Sequence, residues 1–298
     1  MIDPLAEIVL LLQPSALFSK TVVGAGPWRI TPPDTGEPFY GVILEGGCHL
    51  TVDGQETIHV EAGDFVLLPA ARHLRVASRE PPAERDDSPF VALGAGEFRV
   101  GAQSGPIDLC MLIGYCSFVS PDADLLVPLL PQLVHVRCAG RLAQLVKLVG
   151  DESRGQLPAR DVVLSRLLEV LFIEALRSTA ETDTSQGLAR GLADLHIAHA
   201  IRAMHARPSH AWTMADLAKE AALSRSAFFE RFKRKVGVAP MAYLLTWRMA
   251  LAKQLLRQNE SHLAEIAERV GYRSVSAFSV AFTRCAGQSP AHYARASR

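Results

Sequence analysis

Histidines 49, 59 and 73 and four of the five cysteines are the residues of the N-terminal half best suited to hold a metal or react covalently. Their spacing argues against both. No H-x-H and no C-x-x-C occurs. Alternation along an extended segment would send Cys48 and His49 to opposite faces, so three ligands do not converge. Cys110 and Cys116 lie among Leu109, Met111, Leu112, Ile113, Tyr115 and Phe118, surroundings that keep a thiol protonated and inert. The sequence therefore assigns no catalytic residue, no metal ligand and no cofactor. A different constellation stands near the other end. Arg225, Ser226, Phe229 and Glu230 gather donors, an acceptor and an aromatic face within two turns of a predicted helix. That is equipment for reading a patterned surface, not for making bonds.

The same region repeats. Leu217-Ala218 recurs 49 residues later as Ile266-Ala267, and Ala221-Ala222-Leu223 as Val270-Gly271-Tyr272. Ser224, Phe228 and Phe232 recur at 50 as Ser274, Phe278 and Phe282, with Arg273 the extra residue at the turn. Gly237-x-x-Pro240-x-x-Tyr243 recurs as Gly287-x-x-Pro290-x-x-Tyr293. Each copy reads as a helix, a short turn, a serine able to cap the next helix, and a second helix with its phenylalanines at i, i+4 facing inward. This is helix–turn–helix, whose second helix can enter the DNA major groove. Met241 to Leu256 contains no helix breaker and predicts a rigid connecting helix. Two such units can address successive major grooves, roughly 34 Å apart.

Charge agrees. Residues 201–298 carry 16 Lys/Arg against 6 Asp/Glu, while residues 1–200 carry 15 against 25, so the basic half suits a polyanion. With the phenylalanines inward, Arg225, Ser226, Phe229 and Glu230 face out on the first recognition helix. Arg273, Ser274, Val275, Ser276 and Ser279 do so on the second. Arg225 suits a guanine edge or a phosphate, Phe229 a thymine methyl, and Glu230 the cytosine amino group. Val275 and Val280 are poor readers, so base specificity is expected mainly from the first unit. Arg231, Lys233, Arg234, Lys235, Arg248 and Arg284 are expected at phosphates or in solvent.

On these motifs, above all GYRSVSAFSVAFTRCAGQSPAHYAR, residues 192–298 resemble the DNA-binding domain of AraC/XylS-type transcriptional regulators. The resemblance implies seven helices in two helix–turn–helix subdomains, joined by a central helix around Trp247-Arg248-Met249.

The first hundred residues read as short strands and tight turns: 39–44, 48–52, 57–60 and 65–68, with hairpin signals at Gly46-Gly47 and Asp53-Gly54 and a stop at Pro69. Further strands are expected near 98–100 and 109–117. Helical spacing of apolar residues then predicts helices at 139–153 and 159–178. FYGVILEGGCHLTVDGQETIHVEAGDFVLLPAARHLRV resembles the cupin-type sensor found before AraC-type DNA domains. Of the metal-cupin motifs the first is missing. The second is incomplete: Gly63, Pro69, Ala71 and His73, with alanine for glycine and one residue fewer before the histidine. Such a barrel is a container, and Trp28, Phe39, Tyr40, Leu44, His73 and Arg75 are its candidate effector-pocket residues.

The expected fold class is α+β and multidomain: an N-terminal cupin-like β-barrel (jelly roll) with helices, and a C-terminal all-α double helix–turn–helix. The expected domains are a sensor at 1–135, a dimerisation segment at 136–180, a linker at 181–191 and the DNA-binding domain at 192–298. The expected partners are double-stranded DNA, a small-molecule effector, a second copy of the chain and RNA polymerase. No membrane is expected. The odd cysteine count and the absence of a basic segment before Ile8–Leu12 point to the cytoplasm. The rivals are a cupin-type metalloenzyme with a helical appendage and a ligand-independent regulator with a purely structural barrel.

Overall fold

The computed structural model describes residues 3–52, 55–83, 86–94, 96–120, 123–155, 157–179, 186–258 and 262–296. The Asp53-Gly54 turn and residues 181–185 of the expected linker lie outside them. The described chain divides into two compact units. One comprises Gln13–Val119 and Pro131–Ser185; the other comprises Met1–Leu12, Ser120–Leu130 and Gln186–Arg298. This division differs from the linear boundaries drawn on sequence, because two apolar N-terminal segments pack with the C-terminal helices.

The first unit is a ten-stranded curled sheet: β1 (Pro14–Ala25), β2 (Arg29–Ile30), β3 (Phe39–Thr51), β4 (Ile58–Glu61), β5 (Phe65–Leu68), β6 (Arg75–Ser78), β7 (Phe90–Gly94), β8 (Glu97–Gly101), β9 (Leu109–Phe118) and β10 (Val134–Val136). The main path runs β10-β5-β3-β9-β1-β8-β7. The long β3 turns the sheet back on itself, pairing with β5 and β9 through its first half and with β4 and β6 through its second. β1 pairs antiparallel with β9 over nearly its whole length, from Pro14↔Phe118 to Gly24↔Leu109. A tight apolar core fills part of the concave side. Trp28 is wholly buried there, in space that Gly24 and Gly101 leave open. A Cβ on Gly24 would stand 2.8 Å from its indole nitrogen, and one on Gly101 3.0 Å from its Cβ. Two helices, Gly140–Arg154 and Arg160–Ser178, cover the other face, packing on β1, β9 and β3. Phe172 of the second meets Phe118 edge-on at 5.5 Å.

The second unit is helical. In chain order through the protein the helices are α1 (Pro4–Leu12), α2 (Ala123–Leu126), α3 and α4 (the two just described), α5 (Leu188–Ala193), α6 (Leu195–Ala206), α7 (Met214–Glu220), α8 (Arg225–Val236), α9 (Pro240–Gln258), α10 (Leu263–Arg269), α11 (Val275–Ala286) and α12 (Pro290–Ala296). α1 starts with proline at its first position, where no N–H partner is needed, behind Asp3, whose carboxylate accepts the Leu5 N–H at 2.9 Å. It buries Ile8, Val9 and Leu12 completely and packs on α2 and α6, while α2 packs on α9. No helix among the described residues is long and apolar enough to cross a membrane.

Candidate nucleic-acid interface and effector cavity

The repeat read in the sequence is a repeat in space. α7 and α10 each end in a turn whose left-handed residue is Ala222 (φ 51°) in the first copy and Gly271 (φ 82°) in the second. Leu223 N–H donates to Ala218 C=O at 2.9 Å, and Tyr272 N–H to Ala267 C=O at 2.8 Å, the Schellman closure of a helix end. Ser224 then caps α8 by accepting the Ala227 N–H at 3.3 Å, and Ser274 caps α11 by accepting the Ala277 N–H at 3.2 Å. Phe228 and Phe232 are buried and lie 5.6 Å apart, as do Phe278 and Phe282. Tyr243 and Tyr293 close the two cores against Phe232 and Phe282 at 5.7 and 5.5 Å.

The outward faces of α8 and α11 follow. Arg225, Ser226 and Glu230 are exposed and Phe229 is half-buried; Arg273, Val275 and Ser276 are exposed and Ser279 is half-buried. Ser274 is exposed, but its hydroxyl is taken up by capping. Val280, at the position matching Glu230, is 72% exposed, so the second helix presents methyl groups where the first presents a carboxylate. Two residues expected at phosphates or in solvent make protein contacts. Arg231 Nε donates to Asp194 at 2.7 Å, a carboxylate that also caps α6 and is held below its ordinary pKa by that pairing in spite of its burial. Arg248 donates to the carbonyls of Pro208 at 2.9 Å and His210 at 2.7 Å. Lys233, Arg234 and Arg284 remain exposed.

Under the curled sheet lies a cavity of about 390 Å³, within the range of small-molecule sites. Side-chain alternation builds it: Phe18 and Lys20 from β1, Phe39 and Ile43 from β3, and Met111, Ile113 and Tyr115 from β9 line it, with the bare backbone of Gly41 between Phe39 and Ile43. Cys48 lines it too, and burial pushes its thiol up to about 12. Among the described residues no three His, Cys, Asp or Glu side chains are placed to hold a metal ion.

A cupin family model matches residues 3–181, and a helix-turn-helix domain model matches residues 217–296. A putative AraC-like transcription regulator of Streptomyces antibioticus is 34% identical over 98% of both chains. The HTH-type transcriptional regulator AlkR of Acinetobacter baylyi is 31% identical over 86% of this chain and 87% of its own. This chain belongs to the AraC family of transcriptional regulators. Among solved structures, the DNA-binding domain of AdpA in complex with a target DNA covers 35% of this chain and 94% of its own, at 33% identity and a TM-score of 0.33. In this AraC-family chain the cupin match spans the curled sheet with α3 and α4, and the helix-turn-helix match begins within α7.

Of the six pocket residues expected from sequence, the structure places only Phe39 in the cavity wall. Tyr40 is its neighbour on β3 and so points to the opposite face, where it is buried. Leu44 falls at a bulge between Ile43 and Glu45 and is 43% exposed. Trp28 belongs to the packed core and not to the lining. His73 sits in a left-handed turn, exposed and paired with Asp34 at 3.3 Å. Arg75 opens β6 on its exposed side. Sequence reading missed Phe18, Lys20, Met111, Ile113 and Tyr115. The i, i+2 spacing of the last three in a strand-like stretch was the available signal; β1 was not anticipated.

Proposed function

We propose that this AraC-family regulator senses a small molecule in the cavity of its curled sheet and converts occupancy into a change in sequence-specific binding to double-stranded DNA. One observation carries the coupling. β1 and β9 supply five lining residues, and both strands run directly into segments of the DNA-binding unit. β1 is preceded at Leu12 by α1, and β9 is followed at Ser120 by the segment holding α2. A ligand wedged against this strand pair biases the two chain crossings that enter the helical unit, which is the differential interaction a switch requires. A purely structural barrel would be filled to the density of a protein interior, and the open cavity favours the sensing reading. The domain organisation follows: sheet and α3–α4 as sensor, the helices beyond Gln186 as reader, in the cytoplasm. A second copy of the chain meets the outward faces of α3 and α4, where Leu148, Val162, Val163 and Val170 are exposed. Contact with RNA polymerase would follow binding beside a promoter.

Chromatin immunoprecipitation in the native cell tests the reading. Discrete sites with two adjacent half-elements are expected. Arg225→Ala should lower specific affinity by about 1–3 kcal/mol and relax one base position. Affinity should also fall steeply with salt. Absence of enriched sites, together with salt-independent binding of purified protein to the duplex, would overturn it.

A further inference from the structure

Lys20 lines the cavity, and among the described residues no carboxylate pairs with it. We infer that the cavity's ligand is an apolar organic anion, whose hydrocarbon body lies on the aliphatic floor and whose carboxylate, or similar head, pairs with the Lys20 ammonium. This rests on reading the cavity as a ligand site.

Lys20 Nζ lies 4.6 Å from the ring centroid of Phe90 and 5.2 Å from those of Phe18 and Phe98. Three ring faces attract its charge but offer no conventional acceptor for its three N–H donors. Among the described residues Nζ makes no hydrogen bond or ion pair. Burial holds its pKa below the usual lysine value, the sign of a cation that its half-buried surroundings solvate only in part. The described residues supply these donors with no acceptor, and an anion meets them through a charge-assisted pair.

The other charged residues of the cavity determine where the head sits. Glu37 and Asp87 also line it, but they stand on loop segments, and the Asp87 carboxylate already accepts from the Thr31 hydroxyl at 3.0 Å. An incoming anion avoids them and is directed to β1. An amine would share a small cavity with Lys20, and a neutral hydrocarbon would leave the ammonium as it is.

Calorimetry on the purified full-length chain separates these cases with octanoate, octanol and octylamine, which share one chain and differ in the head. Octanoate should bind at least about tenfold more tightly than octanol, a modest return for a charge-assisted pair. Lys20→Met should erase that preference while keeping octanol binding, which also shows that the variant is folded. Lys20→Arg should retain the preference. Tightest binding of octylamine, or an octanoate preference that survives Lys20→Met, would overturn the proposal. Equal binding of octanol and octanoate would remove the anion and leave the ligand site standing. Failure of all three to bind would remove both.

Discussion

Ala222 holds the same left-handed backbone position as Gly271, with φ of 51° against 82°, and a Cβ in that region costs about 1–2 kcal/mol. Ala222→Gly should therefore stabilise the helical unit by about 0.5–1 kcal/mol after the added freedom of the unfolded chain is counted. Denaturant unfolding would show it, and a loss of stability would contradict the turn geometry. The alignment of Ala222 with Gly271 was legible in the repeat, but the strain was not, because alanine gives no sign of a positive φ. A second residue was also illegible. His205 is buried, hydrogen-bonded through Nδ1 to Glu7 at 2.6 Å and through Nε2 to the Tyr243 hydroxyl at 2.7 Å, and stacked 4.0 Å over Trp247. Burial outweighs the pull of Glu7 and of Asp3, and its pKa lies below 6.5. The unfolded chain then takes up the proton first, so stability falls as pH drops below about 6.5. His205→Gln should flatten that part of the pH–stability curve; an unchanged slope would show that other groups control it. Nothing in sequence pairs a histidine with a glutamate 198 residues away.

At the scale of elements, the doubled helix–turn–helix was readable because capping serines, inward phenylalanines and the Gly-x-x-Pro-x-x-Tyr tails are local signals. The joint between the copies was not. Arg248, near the middle of α9, donates to the carbonyls of Pro208 and His210 beside the first copy. Gly271, in the turn of the second copy, lies so close that a Cβ there would be 2.5 Å from the Arg248 guanidinium and 2.9 Å from the Pro208 oxygen. Three chain segments thus meet at one guanidinium, a contact that should hold α8 and α11 at their spacing. Arg248→Ala removes two charge-assisted hydrogen bonds, each worth about 1.5–3 kcal/mol. It should also loosen the spacing. On selected duplexes whose half-elements are moved apart by single base pairs, the wild-type affinity should drop sharply and the variant's much less. Equal sensitivity to spacing would leave Arg248 a stabilising residue only. In the sheet, alternation correctly separates Cys48, in the cavity wall, from His49, which faces His59 at 5.0 Å. Leu44 shows where such reading stops, since the bulge that turns it outward leaves no mark in the hydrophobic pattern.

For the molecule as a whole, sequence order misleads at one point. The apolar stretch Ile8–Leu12 belongs to the helical unit, although nearly two hundred residues separate it from α6. Local periodicity shows that α1 has a face to bury but cannot say against what, and long-range packing of this kind is the part of a fold that a linear reading leaves open. The consequence is a helical unit that contains chain from both sides of the β1–β9 pair, so that the two units share chain and not merely a linker. Ile8→Ala tests that assignment. Removing a fully buried isoleucine side chain costs about 2–5 kcal/mol, and the loss should fall on the unit to which the helix belongs. Hydrogen exchange on the intact chain should show faster exchange of amides in α6 and α9, with β3 and β9 protected as before. Faster exchange confined to the strands would place α1 with the sheet, and the coupling through Leu12 and Ser120 would have to be redrawn.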